Sequence, residues 1–109
     1  MGEVTPEKID IVKKATQIVE EETQNLGTFQ SFAVLHNDRA TGIKNGKRVY
    51  GNIITIRVVV SEDAVTATAK EIDYEILFRM SKRITEKLHT VVRCLYDLTD
   101  KPPSTIEFE

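Results

Sequence analysis

The chain has 109 residues, with 15 Lys and Arg against 17 Asp and Glu and a formal net charge of −2. That length is one domain with a modest core. The near balance of charge gives no general attraction to nucleic acid or anionic membranes. One cysteine, Cys94, excludes an internal disulfide, and no secretory leader is recognisable, so a cytoplasmic protein is expected. Arg57 interrupts the longest apolar run well short of a membrane span.

Thr5-Pro6-Glu7 predicts a helix start: a capping hydroxyl, a proline in the first position and a carboxylate in the first turn. Ile9, Val12, Ala15, Ile18 and Val19 then recur at helical spacing. Asn25-Leu26-Gly27 supplies the stop, with Gly27 able to turn left-handed. Glu20 to Glu22 lie near the negative helix end, so packing rather than propensity is expected to hold this helix.

Phe29 to Lys44 and Lys47 to Val60 read as two long strands joined by Asn45-Gly46, a strong hairpin signal. Ile54, Ile56, Val58 and Val60 alternate onto one face; Thr55 and Arg57 fall on the other, with Ile53 and Val59. The first strand puts Phe32 and Val34 on one face and Phe29, Ala33 and Leu35 on the other. Ser61-Glu62-Asp63 ends the second strand, and Ala64 to Ile72 fits no single pattern, a short helix among them.

Asp73 is placed to cap a second helix that buries Ile76, Leu77, Met80, Ile84 and Leu88 and turns Arg79, Lys82, Arg83 and Glu86 outward. Val91 to Leu98 is a further strand with Val92, Cys94, Tyr96 and Leu98 on one face. The order α-β-β-α-β predicts an α+β two-layer sandwich, two helices on one face of a mostly antiparallel sheet. The partly apolar second face is then left for a partner, and a twofold dimer is the economical cover.

Catalytic and metal constellations are absent. His36 and His89 lack metal-pair spacing, no Cys-x-x-Cys occurs, and Cys94 alternates with apolar residues as a structural thiol does. Gly42 to Gly46 belongs to a hairpin turn, with no helix behind it to cradle a phosphate. Arg39, Lys44, Lys47 and Arg48 cluster at the hairpin tip, but base-stacking signatures are missing and solubility explains them better than nucleic acid does.

The last nine residues depart from the composition of a frayed tail. Lys101-Pro102-Pro103 is stiff, and Thr105-Ile106-Glu107-Phe108 alternates like a short strand. This ending suggests a segment placed against something.

The run Arg93 to Glu109, with its Lys-Pro-Pro-x-Thr-Ile-Glu-aromatic-Glu close, resembles the C-terminal end of GMP synthetases. Collinear with it are Gly2 to Lys8, Phe29 to Val34, Arg39 to Gly42, Arg48-Val49-Tyr50, Ser61-Glu62-Asp63 and the helix from Tyr74 to Arg83. These enzymes aminate xanthosine monophosphate (XMP) to GMP with ATP and glutamine. The resemblance implies that residues 1–109 are the dimerisation domain, paired with its own copy and seated beside an ATP pyrophosphatase domain or subunit. By motif position Lys101, Ile106, Glu107 and Gln30 would contact XMP, Lys101 as a point charge on its phosphate. No catalytic residue is carried over. The Ser-Gly-Gly-Val-Asp-Ser pyrophosphate loop and the amidotransferase nucleophile are missing, so ATP and Mg would be used by the partner domain and none bound here. The chain is thus expected to be an excised piece or a separately encoded one, inactive alone.

Phe108 stands where tryptophan is usual in that family, Asp73 where proline is common, and Ala64 to Lys70 replaces a segment that typically carries Phe-Met and a later Trp. The missing catalytic domains and the segment from Ala64 to Ile72 motivate an alternative of another class: a free-standing interaction or regulatory module of the same fold without a nucleotide role.

Overall fold

A computed structural model describes residues 5–26, 30–60 and 68–99. The element order is α1 (Pro6–Thr23), β1 (Gln30–Lys44), β2 (Lys47–Val60), β3 (Thr68–Ala69), α2 (Tyr74–Lys87) and β4 (Val91–Tyr96). The Thr5 hydroxyl accepts from Lys8 N–H at 3.2 Å, and Pro6 opens α1 as expected. At the other end Thr23 carries the helix into the sheet. Its hydroxyl bonds Val19 O at 2.8 Å and Ser31 Oγ at 3.0 Å, while Thr16 Oγ1 accepts from Ala33 N–H at 3.1 Å. These bonds tie α1 to the outer edge of β1. Gly27 lies outside the described residues.

The hairpin turns at Asn45 and Gly46, both at positive φ (52° and 76°). Two left-handed residues match the twist of the flanking strands, which is why Asn-Gly is found there. Pairing runs from Lys44↔Lys47 to Gln30↔Val59, with one irregularity: His36, Asn37 and Asp38 are accommodated between Leu35↔Ile54 and Arg39↔Asn52.

β2 is the centre of the sheet. One edge carries β1, antiparallel; the other carries β4, parallel along Asn52 to Ile56, and then the two-residue β3, antiparallel at Val59 and Val60. A parallel neighbour needs a crossover connection, and α2 lies within it. β3 takes up Thr68 and Ala69 of the segment that fitted no pattern, and strand β4 ends at Tyr96 rather than Leu98.

Both helices pack on one face. Ala15, Ile18 and Val19 of α1 and Met80 and Ile84 of α2 meet Ala33, Ile54, Ile56, Val58 and Val91 in a single buried core, joined by Ile72 and Leu88. Full burial of side chains of this size contributes roughly 1.5–3 kcal/mol each, enough to set which sheet face turns inward. Asp73 occupies the α2 cap position without a side-chain cap bond; its carbonyl instead accepts from Ile76 and Leu77 N–H at 3.0 and 3.2 Å.

On the second sheet face Leu95, level with Thr55, is exposed, but much of the rest is enclosed. Thr55, Arg57 and Val59 are buried within the single chain. The sequence alternation was correct, but a buried arginine on that face requires local partners, and these come from the end of β4.

Candidate functional site

The parallel β2–β4 pair ends where β1 begins, so three segments converge at one end of the sheet. On the second face there, the register sets Gln30 opposite Val59 and Phe32 opposite Arg57. Gln30 is exposed. Across β2, Asp97 N–H donates to Ile56 O at 3.0 Å and extends the ladder one step beyond β4. Alternation then turns the Asp97 side chain to the second face, beside Arg57.

Arg57 is fully buried. Its Nη1 donates to Thr99 O at 2.6 Å and lies 3.1 Å from Asp97 Oδ2. The other oxygen, Asp97 Oδ1, accepts from Thr99 N–H at 2.9 Å. A guanidinium, a carboxylate and one turn of backbone therefore close on one another just before Lys101. Taking an arginine out of water costs several kcal/mol unless it is paired and hydrogen-bonded; Nη1 meets both conditions here, while the buried Nε adds no hydrogen bond.

Tyr96 holds the core side of the same end. Its hydroxyl donates to Lys70 O at 2.5 Å and lies 3.4 Å from Val58 O, pinning the chain that follows β3. Burial, together with the Asp97 charge and against that of Arg57, pushes the phenol up to about 12. Cys94, one step back on β4, is half-buried, and burial raises its thiol pKa, so it is a poor nucleophile.

Of the four residues expected to contact a nucleotide, Gln30 stands at this end of the sheet. Lys101, Ile106 and Glu107 lie outside the described residues. Sequence reasoning missed Arg57 and Asp97. The available signals were an arginine within an apolar strand and the Asp97-Leu98-Thr99 spacing of an Asx turn.

Two other surfaces stand out. Beside β4, a groove of about 260 Å³ is lined by Tyr74, Leu77, Phe78 and Leu95 among others, and the Tyr74 and Phe78 rings stack at 6.0 Å. At the hairpin tip the cations are partly committed. Lys44 Nζ donates to Thr85 O at 2.8 Å, and the Arg39 guanidinium lies 5.2 Å from the Tyr50 ring centre. Among the described residues no three His, Cys, Asp or Glu side chains converge as a metal site, and no helix is long and apolar enough to cross a membrane.

Residues 16–108 match the family described as GMP synthase C terminal domain. The chain belongs to that family. It is 50% identical over 109 residues to a glutamine-hydrolyzing GMP synthase subunit of Archaeoglobus fulgidus. It is 47% identical over 113 residues to the corresponding subunit of Methanocaldococcus jannaschii and 48% over 111 residues to that of Pyrococcus horikoshii. In each case the whole chain is covered but only 36% of the relative. The chain thus spans about a third of the length of the curated relatives it matches.

Proposed function

We propose that this chain is the subunit-pairing and XMP-contacting domain of a glutamine-hydrolysing GMP synthase. In such an enzyme, adenylation of XMP and release of ammonia from glutamine belong to other domains. The observation that carries this reading is the family match over residues 16–108, which takes in the Lys-Pro-Pro tail. The tail supplies an ammonium for a phosphate and a carboxylate, Glu107, for the nucleotide's polar groups; Gln30 adds an amide that both donates and accepts. None of these groups transfers a proton or forms a bond with substrate. They bind and orient, which lowers the entropy lost when XMP is brought to ATP for its adenylation.

ATP and its Mg are assigned to the pyrophosphatase domain, since this sequence holds no phosphate-cradling loop of its own. XMP would therefore bridge this domain and a pyrophosphatase domain, with its chemistry on the far side.

The test is reconstitution. This chain, mixed with a matching pyrophosphatase piece, XMP, ATP and ammonia, is expected to restore amination that the pyrophosphatase piece lacks by itself. Lys101→Ala in the assembled enzyme is expected to raise the KM for XMP and leave that for ATP unchanged. Amination indifferent to the added chain would refute the reading and favour an interaction module that only shares the fold.

A further inference from the structure

We infer that the exposed stripe of α2 centred on Phe78 is a self-complementary docking surface for a second copy of this chain: two α2 helices lie antiparallel about a twofold axis, with Glu75 of each facing Lys82 of the other. The inference gives a surface and an orientation to the subunit pairing proposed above, and it rests on that reading.

Three observations support it. First, Tyr74 and Phe78 are 75% and 54% exposed, stack on one another and border the groove beside β4. Residues four apart on a helix are neighbours, so the two rings make one apolar patch of the kind that marks an interaction surface. The fold itself does not call for them, because α2 is already fixed to the core through Met80 and Ile84.

Second, the charges beside the patch are arranged about its centre. An α-helix rises about 1.5 Å and turns about 100° per residue. Counted from Phe78, Glu75 lies about 4.5 Å toward the N-terminus and Lys82 about 6 Å toward the C-terminus, on the same flank of the ring, about 60° and 40° round the helix. A twofold axis at Phe78, perpendicular to the plane of the two helices, reverses order along the helix and keeps the flank. It therefore sets ring against ring and Glu75 of each copy against Lys82 of the other. A parallel pair would bring like charges to the same level.

Third, both charged groups are available. Glu75 and Lys82 are exposed, and among the described residues neither takes part in an ion pair, whereas Arg79 between them is held by Glu22 of α1. An acid, a ring and a base in this order complement the same stripe read backwards, which is the property of a twofold interface. This commits the stripe to a second copy. The rings supply the apolar centre and the charges the rim, where they act mainly by excluding the wrong orientation.

The experiment measures self-association of the 109-residue chain by analytical ultracentrifugation at low ionic strength. Lys82→Glu and Glu75→Lys each turn two attractions into two repulsions, because every contact in a twofold pair occurs twice. Each is expected to raise the dimer Kd about tenfold. Both reversals on one chain are expected to return Kd to within about threefold of the parent. Residues seven apart are not neighbours on their own helix, so that recovery reports contact between copies. In about 1 M salt, where the Debye length is about 3 Å, the single-variant penalties should shrink. Both positions are on the surface, so melting temperatures are expected to hold. Single variants that pair like the parent, or a double reversal no tighter than the singles, overturn the antiparallel seam and leave subunit pairing standing. A parent that stays monomeric at every concentration overturns the pairing reading itself. A monomeric parent whose capture of a matching pyrophosphatase piece is weakened by the reversals gives the stripe to that partner, and the self-complementary assignment falls.

Discussion

Arg83 of α2 donates through Nη1 to Glu22 Oε2 of α1 at 3.0 Å, and this bond joins the two helices across their exposed seam. Arg79 Nε reaches the other Glu22 oxygen at 2.7 Å, and Arg83 Nη2 reaches Glu21 Oε1 at 2.6 Å. The acidic end of α1, unfavourable beside its own helix dipole, is thus neutralised by a neighbour 57 to 62 residues along the chain.

The shortest of these bonds is not the one expected to matter most. Glu21 is open to solvent, which screens its pair, whereas the Glu22 side chain is only 12% exposed and serves two guanidinium groups. Glu22→Ala is expected to destabilise the domain by about 1 kcal/mol. Glu21→Ala should do less. Urea denaturation at low and high salt checks the order, and equal losses for both would show that shielding by the α1–α2 seam is unimportant. The Arg83 partnership also holds the Glu21 carboxyl below its ordinary pKa. That contribution is present at neutral pH and disappears as pH falls below about 4.5, the unfolded value.

Gly51 makes a steric prediction. Asn52 N–H donates to Thr90 O at 2.7 Å where β2 meets the start of β4, and a Cβ on Gly51 would collide with that same carbonyl and come within 2.7 Å of Val92 Cγ1. A backbone atom cannot rotate aside. Gly51→Ala is expected to cost roughly 2 kcal/mol, seen as a lower denaturation midpoint. Adding Val92→Ala should recover only part of it. Full recovery would mean that the side chain, not the carbonyl, sets the limit.

Much of the fold was legible in short-range pattern. The Thr5 cap, the Asn45-Gly46 turn and the alternation of Ile54, Ile56 and Val58 are each decided within a few residues. What escaped were pairings between distant segments. Nothing local says that β4 lies parallel beside β2, that Arg57 finds Asp97 far along the chain, or that Lys44 spends its ammonium on the Thr85 carbonyl. For the same reason Arg57 was placed on a face left for a partner, whereas it is buried there within the chain. Of the candidate site, Gln30 is an expectation from family resemblance alone, whereas the Arg57–Asp97 pair comes from long-range packing that no local pattern reveals.

Tyr96 predicts an alkaline loss of stability. Its phenol sits near pKa 12 in the folded chain against 10.0 in the open, chiefly through burial. Below pH 10 both states are protonated and the group adds no pH dependence. Above it the unfolded chain releases the proton first, so stability falls with rising pH until about pH 12. The side chain is only partly enclosed, so the slope will be shallower than for a sealed phenol. Tyr96→Phe should lose the Lys70 bond at every pH, yet flatten the decline over that window. Parallel pH profiles for the two proteins would place the titration elsewhere.

The groove between α2 and β4 is where subunit pairing is best tested. The second sheet face, the surface first expected to pair, has Thr55, Arg57 and Val59 already buried, whereas Tyr74, Phe78, Leu95 and Leu98 are exposed. Two exposed, stacked rings beside an outer strand form the kind of apolar patch that marks an interaction surface. If the domain pairs through this groove, Phe78→Glu puts a carboxylate into the centre of the interface, where its desolvation opposes association. The parent is expected to scatter light as a dimer at micromolar concentration and the variant as a monomer. Because Phe78 is 54% exposed, its replacement should leave the melting temperature of the isolated fold nearly unchanged, so loss of pairing can be separated from loss of structure. A Phe78→Glu protein that stays dimeric moves the interface off this groove, and the exposed Ile43–Tyr50 face of the hairpin becomes the next surface to vary.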